Sequence, residues 1–161
     1  MQITEPVTML TDYALGAADL FFTISILSTI NSRNKVTALL LALGFLAGTV
    51  SATAGGTFHG FSLHFEEAGL RRLWNIILLS IGATGAFLGS AVHAAQVRRE
   101  NGKWIIAALV VTVIGLGIQL SGFRAHQDFN HNDIFHVIQL AAMCLFFKGA
   151  RHLQDRPYSP K

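Results

Sequence analysis

The last apolar segment of the chain begins Asn130-His131-Asn132-Asp133-Ile134-Phe135-His136-Val137 and continues to Phe147. Two ionisable side chains, Asp133 and His136, stand where this segment starts. Ionisable groups at membrane depth are costly, so a function is their default interpretation. Because they are three residues apart on a helix, they lie close together on one face. We therefore interpret the other segments by their position relative to this one.

The composition predicts an integral membrane protein. With 161 residues, 52% of them hydrophobic and only 13% charged, the chain is too apolar for a soluble domain of this length. Each apolar segment is close to the ~20 residues that a helix needs to cross a bilayer. Because no basic residue precedes the first segment and further spans follow it, we interpret it as a membrane helix and not as a cleaved signal peptide. We predict an all-α helical bundle, a single multi-pass membrane domain over residues 1–161, with five spans at about 13–31, 36–59, 72–97, 104–122 and 132–149.

The basic residues predict the orientation in the membrane. With five spans, nine of the twelve Lys and Arg residues fall on one side, and Arg71, Arg72 and Arg124 on the other. Loops rich in Lys and Arg stay cytoplasmic, so we predict an outside N-terminus and a cytoplasmic C-terminus, in the inner membrane of a bacterium. Because the basic residues mark the orientation, the net charge of +3 does not indicate nucleic-acid binding, and no nucleic-acid partner is expected. The basic tail after Phe147 is predicted to fray. The nine residues are Arg33, Lys35, Arg98, Arg99, Lys103, Lys148, Arg151, Arg156 and Lys161.

Small residues recur at every fourth position in two of the spans, which leaves a smooth groove along each helix. Such grooves let helices approach closely in a membrane. We therefore predict close contact between the second and third helices, or between copies of the chain in a homo-oligomer or a larger membrane complex. The ladder of the second span is Gly44, Gly48, Ala52, Gly56 and Gly60, and that of the third is Gly82, Ala86, Ser90 and Ala94.

A second histidine, His59, ends the second span at the same depth as His136. A metal site needs imidazoles or carboxylates that converge from different helices, and zinc suits such a ligand set. We predict His59, His136 and His131 as ligands, while Asp133, His126 or His64 are alternatives for the third position. Asp19 lies about two helical turns into the first span, so it should face the bundle interior and find a partner there.

Three other interpretations stay open. Asn130 followed three residues later by Asp133 is the pattern of a helix N-terminus, where Asp133 would cap the helix and do no chemistry. His59 and His136 could hydrogen-bond to each other or to Asp19 and lock helices together in a non-enzymatic subunit. They could also be the two axial ligands of a haem b in an electron-transfer protein.

Two short motifs, Thr57-Phe58-His59 and Asn132-x-x-x-His136, resemble motifs of the alkaline ceramidase and adiponectin-receptor superfamily of membrane hydrolases. In that family a His-x-x-x-His pair on the last helix joins a histidine at the end of the second helix to bind zinc. The resemblance implies that His59 and His136 are zinc ligands and that the substrate is a lipid amide or ester. A zinc-bound water would attack the carbonyl, with Asp133 or Asp19 as the general base.

The chain departs from the family pattern at identifiable positions. Asn132 stands where the family has its first histidine of the pair, and Gly55 stands where it has a serine. The family has seven spans, whereas this sequence predicts five. Under the resemblance, Asp133, His131 or Glu66 would have to supply the missing ligands.

Overall fold

The structure is a computed structural model that describes residues 2–126 and 129–156. Five α-helices account for most of it, each long and apolar enough to cross a membrane. Within the described ranges there is no strand, only two isolated β-bridges. The predicted all-helical architecture with five candidate membrane spans is therefore confirmed. The helices are α1 (Pro6–Leu27), α2 (Lys35–Phe61), α3 (Glu67–Ala94), α4 (Arg99–Ser121) and α5 (His131–Ala150), with a 3₁₀ turn at Ser62–His64 between α2 and α3.

The first helix begins at Pro6 and not near residue 13 as the hydropathy pattern predicted. Proline suits the first turn, because its missing N–H would have had no partner there and its φ angle is already helical. The residues before it are tied to the end of α2: the amides of Thr4 and Glu5 donate to the carbonyls of Gly60 at 3.1 Å and His59 at 3.2 Å. The earlier start places Asp12 inside a helix, which matters for the site described below.

The helices pack in the order α3, α2, α1, α5, α4. α2 lies between α3 and α1, α5 packs along α4 and less extensively along α1, and α3 and α4 do not pack along their lengths. Both outer helices therefore keep large apolar side chains exposed, such as Leu79 and Leu120. Exposed apolar side chains are what a helix presents to lipid.

The glycine groove of α2 faces mainly α1. A Cβ added at Gly48 would overlap the Oδ2 atom of Asp19, and one added at Gly56 would lie 2.9 Å from the ring of Tyr13. Only the Gly44 end of the groove touches α3, where an added Cβ would lie 2.8 Å from the Cγ of Leu88. The glycines are thus needed because bulky and polar side chains of α1 lie directly against the backbone of α2.

The ladder of α3 does not take part in this packing. Added Cβ atoms at Gly82, Gly85 and Gly89 would meet nothing within 4 Å, and Ala86 and Ser90 are exposed. The predicted proximity of α2 and α3 is confirmed, but the prediction that both small-residue ladders form the contact is wrong. The α3 ladder instead lies on an outward face of the bundle.

The two ends of the bundle differ in chemistry. We refer to the end that contains Pro6, His59 and His131 as the histidine end, and to the opposite end as the basic end. The apolar core lies in the basic half, where Phe22 stacks on Phe147 with ring centroids 4.5 Å apart. The histidine half is packed around polar side chains instead, which is unusual for a membrane bundle.

The prediction that the chain frays after Phe147 is wrong as far as Arg156; residues 157–161 lie outside the described ranges. α5 continues to Ala150, and Leu153 is buried in the core. Asp155 then caps α2, because its carboxylate accepts hydrogen bonds from the amides of Thr37 at 2.8 Å and Val36 at 3.1 Å. These amides lie in the first turn of a helix and have no acceptor inside it, so the tail supplies the hydrogen-bond acceptors that the start of α2 lacks.

We predict that Asp155→Ala lowers the free energy of unfolding by ~1 kcal/mol, the usual cost of losing a helix cap. Burial raises the pKa of the Asp155 carboxyl, but the hydroxyl and amide of Thr37 and the amide of Val36 outweigh it and hold the pKa below its usual value. The cap therefore stabilises the fold above the ordinary carboxyl pKa of ~3.9, and this contribution is lost as the pH falls through the lower folded value. Thermal unfolding in detergent between pH 7 and pH 3 measures it. A variant as stable as the wild type at pH 7 would contradict the prediction.

A candidate site at the histidine end

The candidate site is formed by the first turns of α1 and α5 and the last turn of α2. Thr8 and Asp12 are four residues apart in α1 and so share the face that is turned into the bundle. Both are buried, with 1% and 4% of their surface exposed, and Asp133 at the start of α5 is fully buried. Buried polar groups need partners, and those of this cluster come mostly from one another.

His136 lies at the centre of the cluster. Its Nε2 atom is 3.2 Å from Oδ1 of Asp12, and its Nδ1 atom is 3.1 Å from the hydroxyl of Thr11. Both ring nitrogens are therefore engaged by consecutive residues of α1. A carboxyl on one nitrogen and a hydroxyl on the other is the arrangement in which an imidazole exchanges protons with the hydroxyl while the acid holds the ring.

The Thr11 hydroxyl has a second possible partner. It lies 3.0 Å from the carbonyl of Thr8, to which it can donate as residues near the start of a helix often do. Its proton thus has two alternative acceptors, the Thr8 carbonyl and the His136 ring. Donation to the ring makes the Thr11 oxygen more nucleophilic, whereas donation to the carbonyl does not activate it.

Asp133 acts as a structural group in this geometry. Its Oδ1 accepts from the Thr8 hydroxyl at 2.7 Å, and its Oδ2 accepts from the backbone amide of Asn130 at 2.7 Å. Together with the Asn130 side chain, which accepts from the amide of Asn132, this forms a capping box at the start of α5. The interpretation of Asn130 and Asp133 as a helix N-terminus is confirmed, and its consequence is that α5 is anchored to α1 at the depth of His136.

His59 reaches the rim of the cluster from α2. Its Nδ1 atom is 3.1 Å from Oε2 of Glu5 in the partly exposed rim of the site. The structure thus places His136 and Asp133 in the cluster and His59 at its rim. His131 does not join them: it begins α5, and its buried Nδ1 has no hydrogen-bond partner among the described residues.

Asp19 lies deeper in the bundle, away from the cluster. Only 1% of its surface is exposed, Oδ2 is pressed against Gly48, and Oδ1 has no partner within residues 2–126 and 129–156. The predicted inward orientation is confirmed, but the expected partner is missing from the described part of the chain. As a catalytic residue, Asp19 stays a prediction, as does Asp133.

The ligand geometry for a metal is incomplete. No group of three or more His, Cys, Asp or Glu side chains in the described ranges is arranged to hold a metal ion. Both ring nitrogens of His136 already contact Thr11 and Asp12, and one ring nitrogen of His59 contacts Glu5. Zinc at His59, His136 and His131, and haem b between His59 and His136, therefore stay predictions that the side-chain arrangement does not support.

Sequence reasoning missed Asp12, because the predicted first span begins at about residue 13 and so leaves Asp12 outside it. The signal was nonetheless present, because Thr8, Asp12, Asp19 and Thr23 follow one another at helical spacing and are all buried. A helix that starts at Pro6 puts these four polar residues on one stripe. Once this stripe is recognised, Asp12 is the acid at the same depth as the start of α5.

Comparison with known proteins identifies the family of the chain. No curated protein and no solved structure matches it. A family described as a family of unknown function, DUF6962, matches residues 7–96 and 86–155. The match does not bear on the resemblance to alkaline ceramidases and adiponectin receptors, which stays a prediction. It covers all five helices from the start of α1 to the end of α5, and the chain therefore belongs to the DUF6962 family.

Proposed function

We propose that the protein is a membrane hydrolase whose nucleophile is the hydroxyl of Thr11, with His136 as its general base. The observation that carries the proposal is the pair of contacts to the His136 ring, Thr11 on Nδ1 and Asp12 on Nε2. The cluster is largely closed off by α1, α2 and α5, but Thr11 itself is partly exposed near the end of the bundle, and we propose that a lipid carbonyl approaches it there. A lipid amide or ester is therefore the substrate class.

In the proposed reaction the Thr11 oxygen attacks the carbonyl carbon while its proton moves to Nδ1 of His136. The imidazolium then gives this proton to the departing amine or alcohol, which leaves an acyl ester on Thr11. Water, deprotonated by the same nitrogen, releases the fatty acid and restores the hydroxyl. Asp12 is a positioning residue, because its carboxylate on Nε2 holds the ring and stabilises the imidazolium, and Asp133 fixes α5 against α1.

The orientation of the protein is part of the proposal. Of the Lys and Arg residues that the structure describes, eight lie at the basic end and three lie near the histidine end. By the positive-inside rule the basic end is cytoplasmic, so the site opens on the outer face of the membrane, in a bacterium the periplasmic face of the inner membrane. The substrate would then come from the outer leaflet.

The test is hydrolysis of a panel of fluorogenic lipid amides and esters by the purified protein. We expect turnover of at least one class, lowered by about 100-fold or more in His136→Gln, because removing a general base typically costs 10²–10⁴ in rate. Thr11→Val should abolish turnover, and Thr11→Ser should retain it. His64→Gln is the matched control, since His64 is an exposed histidine in the turn at the same end of the bundle.

A covalent readout separates this mechanism from others. An acyl or phosphonyl group found by mass spectrometry on the peptide that contains Thr11 would support it, whereas turnover in Thr11→Val would overturn it. Elemental analysis of protein purified without chelators tests the zinc hypothesis in the same preparation. About one zinc per chain, lost in His136→Ala, would contradict the threonine mechanism and support metal-assisted hydrolysis. Stoichiometric iron with a haem absorbance would support electron transfer.

A second candidate function, a non-enzymatic subunit of a homo-oligomer or larger membrane complex, is favoured by one observation. Gly82, Gly85 and Gly89 lie on a face of α3 with open space around them, and grooves of this kind receive helices of a partner. Under this proposal the buried polar cluster only locks α1 to α5. No substrate of the lipid panel would be turned over, and a bulky residue at Gly85 would reduce the oligomer mass measured in detergent.

A further inference from the structure

We propose that the basic end of the bundle carries a binding site for one anionic phospholipid, independent of the hydrolase site. A cleft of about 850 Å³ lies there between the end of α1, the α1–α2 turn and the end of α5. It is on the opposite side of the bundle from His136, and nothing in the proposed reaction uses it.

The polar half of the cleft is positively charged. Arg33 from the α1–α2 turn and Arg151 from the residue after α5 line it, together with His152, and no acidic side chain is among its lining residues. Within the described ranges neither arginine forms an ion pair; Arg151 donates only to the ring of His152, at 2.9 Å. The nearest tail acid, Asp155, already binds the amides at the start of α2.

Two guanidinium groups that border one cleft and form no ion pair with a described residue are suited to a phosphate, because arginine binds phosphate oxygens through paired N–H donors. The backbone holds them in place: the amide of Arg33 donates to the Asn31 side chain at 2.8 Å, and that of Asp155 donates to the Arg33 carbonyl at 2.8 Å. The tail and the turn are thus joined, so both arginines belong to one structural unit.

The other half of the cleft is apolar. Phe21 and Phe147 line it, and Phe21 on α1 has 62% of its surface exposed. A free phosphate would gain nothing from these rings, whereas an acyl chain would cover them as it runs into the bilayer between α1 and α5. The combination of a basic rim with an aromatic wall between membrane helices therefore favours an anionic phospholipid over a soluble anion.

The test compares lipids retained by the full-length protein in native mass spectrometry. We expect one phosphatidylglycerol per chain to bind at least 10-fold more tightly than phosphatidylcholine. The double variant R33Q/R151Q should lose about 10-fold or more in affinity, since each cation near a membrane surface contributes on the order of a 5-fold effect. R98Q/R99Q is the matched control, because it removes the same charge from the same end of the bundle but outside the cleft.

Phe21→Ser tests the apolar half and should weaken phosphatidylglycerol binding while R98Q/R99Q leaves it unchanged. Equal binding of phosphatidylcholine, or equal losses in R33Q/R151Q and R98Q/R99Q, would overturn the site and indicate attraction to surface charge alone. Full displacement of the lipid by millimolar inorganic phosphate, with no effect of Phe21→Ser, would also overturn it, because the cleft would then bind a free anion. None of these outcomes depends on lipid hydrolysis by the His136 site.

Discussion

Gly48→Leu is expected to destabilise the protein by about 3 kcal/mol or more, and to leave little folded protein in detergent. A Cβ at this position overlaps Oδ2 of Asp19, and the rest of a leucine side chain would have to occupy the same space. Asp19 cannot turn away, because it is buried in the α1–α2 contact. The two helices would have to separate, and the contact between them is among the most extensive in the bundle.

The measurement is the midpoint of thermal unfolding in detergent, with the yield of monodisperse protein as a second readout. Gly85→Leu on α3 is the control, since a side chain there meets nothing within 4 Å. It should be neutral or slightly stabilising, because glycine in a helix costs up to about 1 kcal/mol relative to better helix formers. Equal destabilisation by the two substitutions would mean that α1 and α2 do not approach at Gly48.

Asp19→Ala is expected to raise the free energy of unfolding by about 1–2 kcal/mol. A buried polar group without a hydrogen-bond partner costs about 1–3 kcal/mol, and Oδ1 of Asp19 is such a group in the described part of the chain. The small void left by the substitution offsets part of this gain. Equilibrium unfolding in denaturant, monitored by the two tryptophans, measures the difference.

Asp12→Ala is the matched comparison, because it removes the same side chain from the same buried face of α1. Asp12 contacts His136 through Oδ1, whereas its Oδ2 has no partner in the described part of the chain. Its loss leaves a ring nitrogen of His136 without a partner, which outweighs the relief of Oδ2 and should destabilise the protein by about 1 kcal/mol. A higher free energy of unfolding in Asp19→Ala together with a lower one in Asp12→Ala would support the contact between Asp12 and His136 and the lack of a partner for Oδ1 of Asp19. A loss of stability in Asp19→Ala would show that Asp19 has a structural partner, and a gain in stability accompanied by loss of hydrolysis would assign it a catalytic role.

The number and type of helices followed from the sequence alone. Segment length and apolar content are local properties, and a backbone in lipid must satisfy its hydrogen bonds within a helix, so five apolar segments predict five helices. The capping box at Asn130 and Asp133 could likewise be predicted from the sequence, because it depends on two residues that are three positions apart. The start of α1 was missed, since the polar residues Thr8, Thr11 and Asp12 lower the hydropathy of its first turns.

The candidate site was only partly predictable. The sequence predicts that His59 and His136 share a depth, which helix length determines, and the structure places His136 in the cluster and His59 at its rim. Their partners Asp12, Thr11 and Glu5 were not foreseen, because which side chains meet depends on the rotation of each helix about its axis. Hydropathy carries little information on that rotation when most residues of a helix are apolar on every side.

An all-helical chain with five candidate membrane spans therefore follows from the sequence, with most basic residues at one end and five of the seven histidines at the other. Three features depend on how the helices pack and could not be predicted: the glycine groove of α2 faces Asp19 and Tyr13 of α1, the ladder of α3 is left uncovered, and Asp12 contacts His136. The physical reason is that lipid selects for apolar surface along the whole chain, whereas close packing and hydrogen bonds between helices select one rotation and depth for each of them.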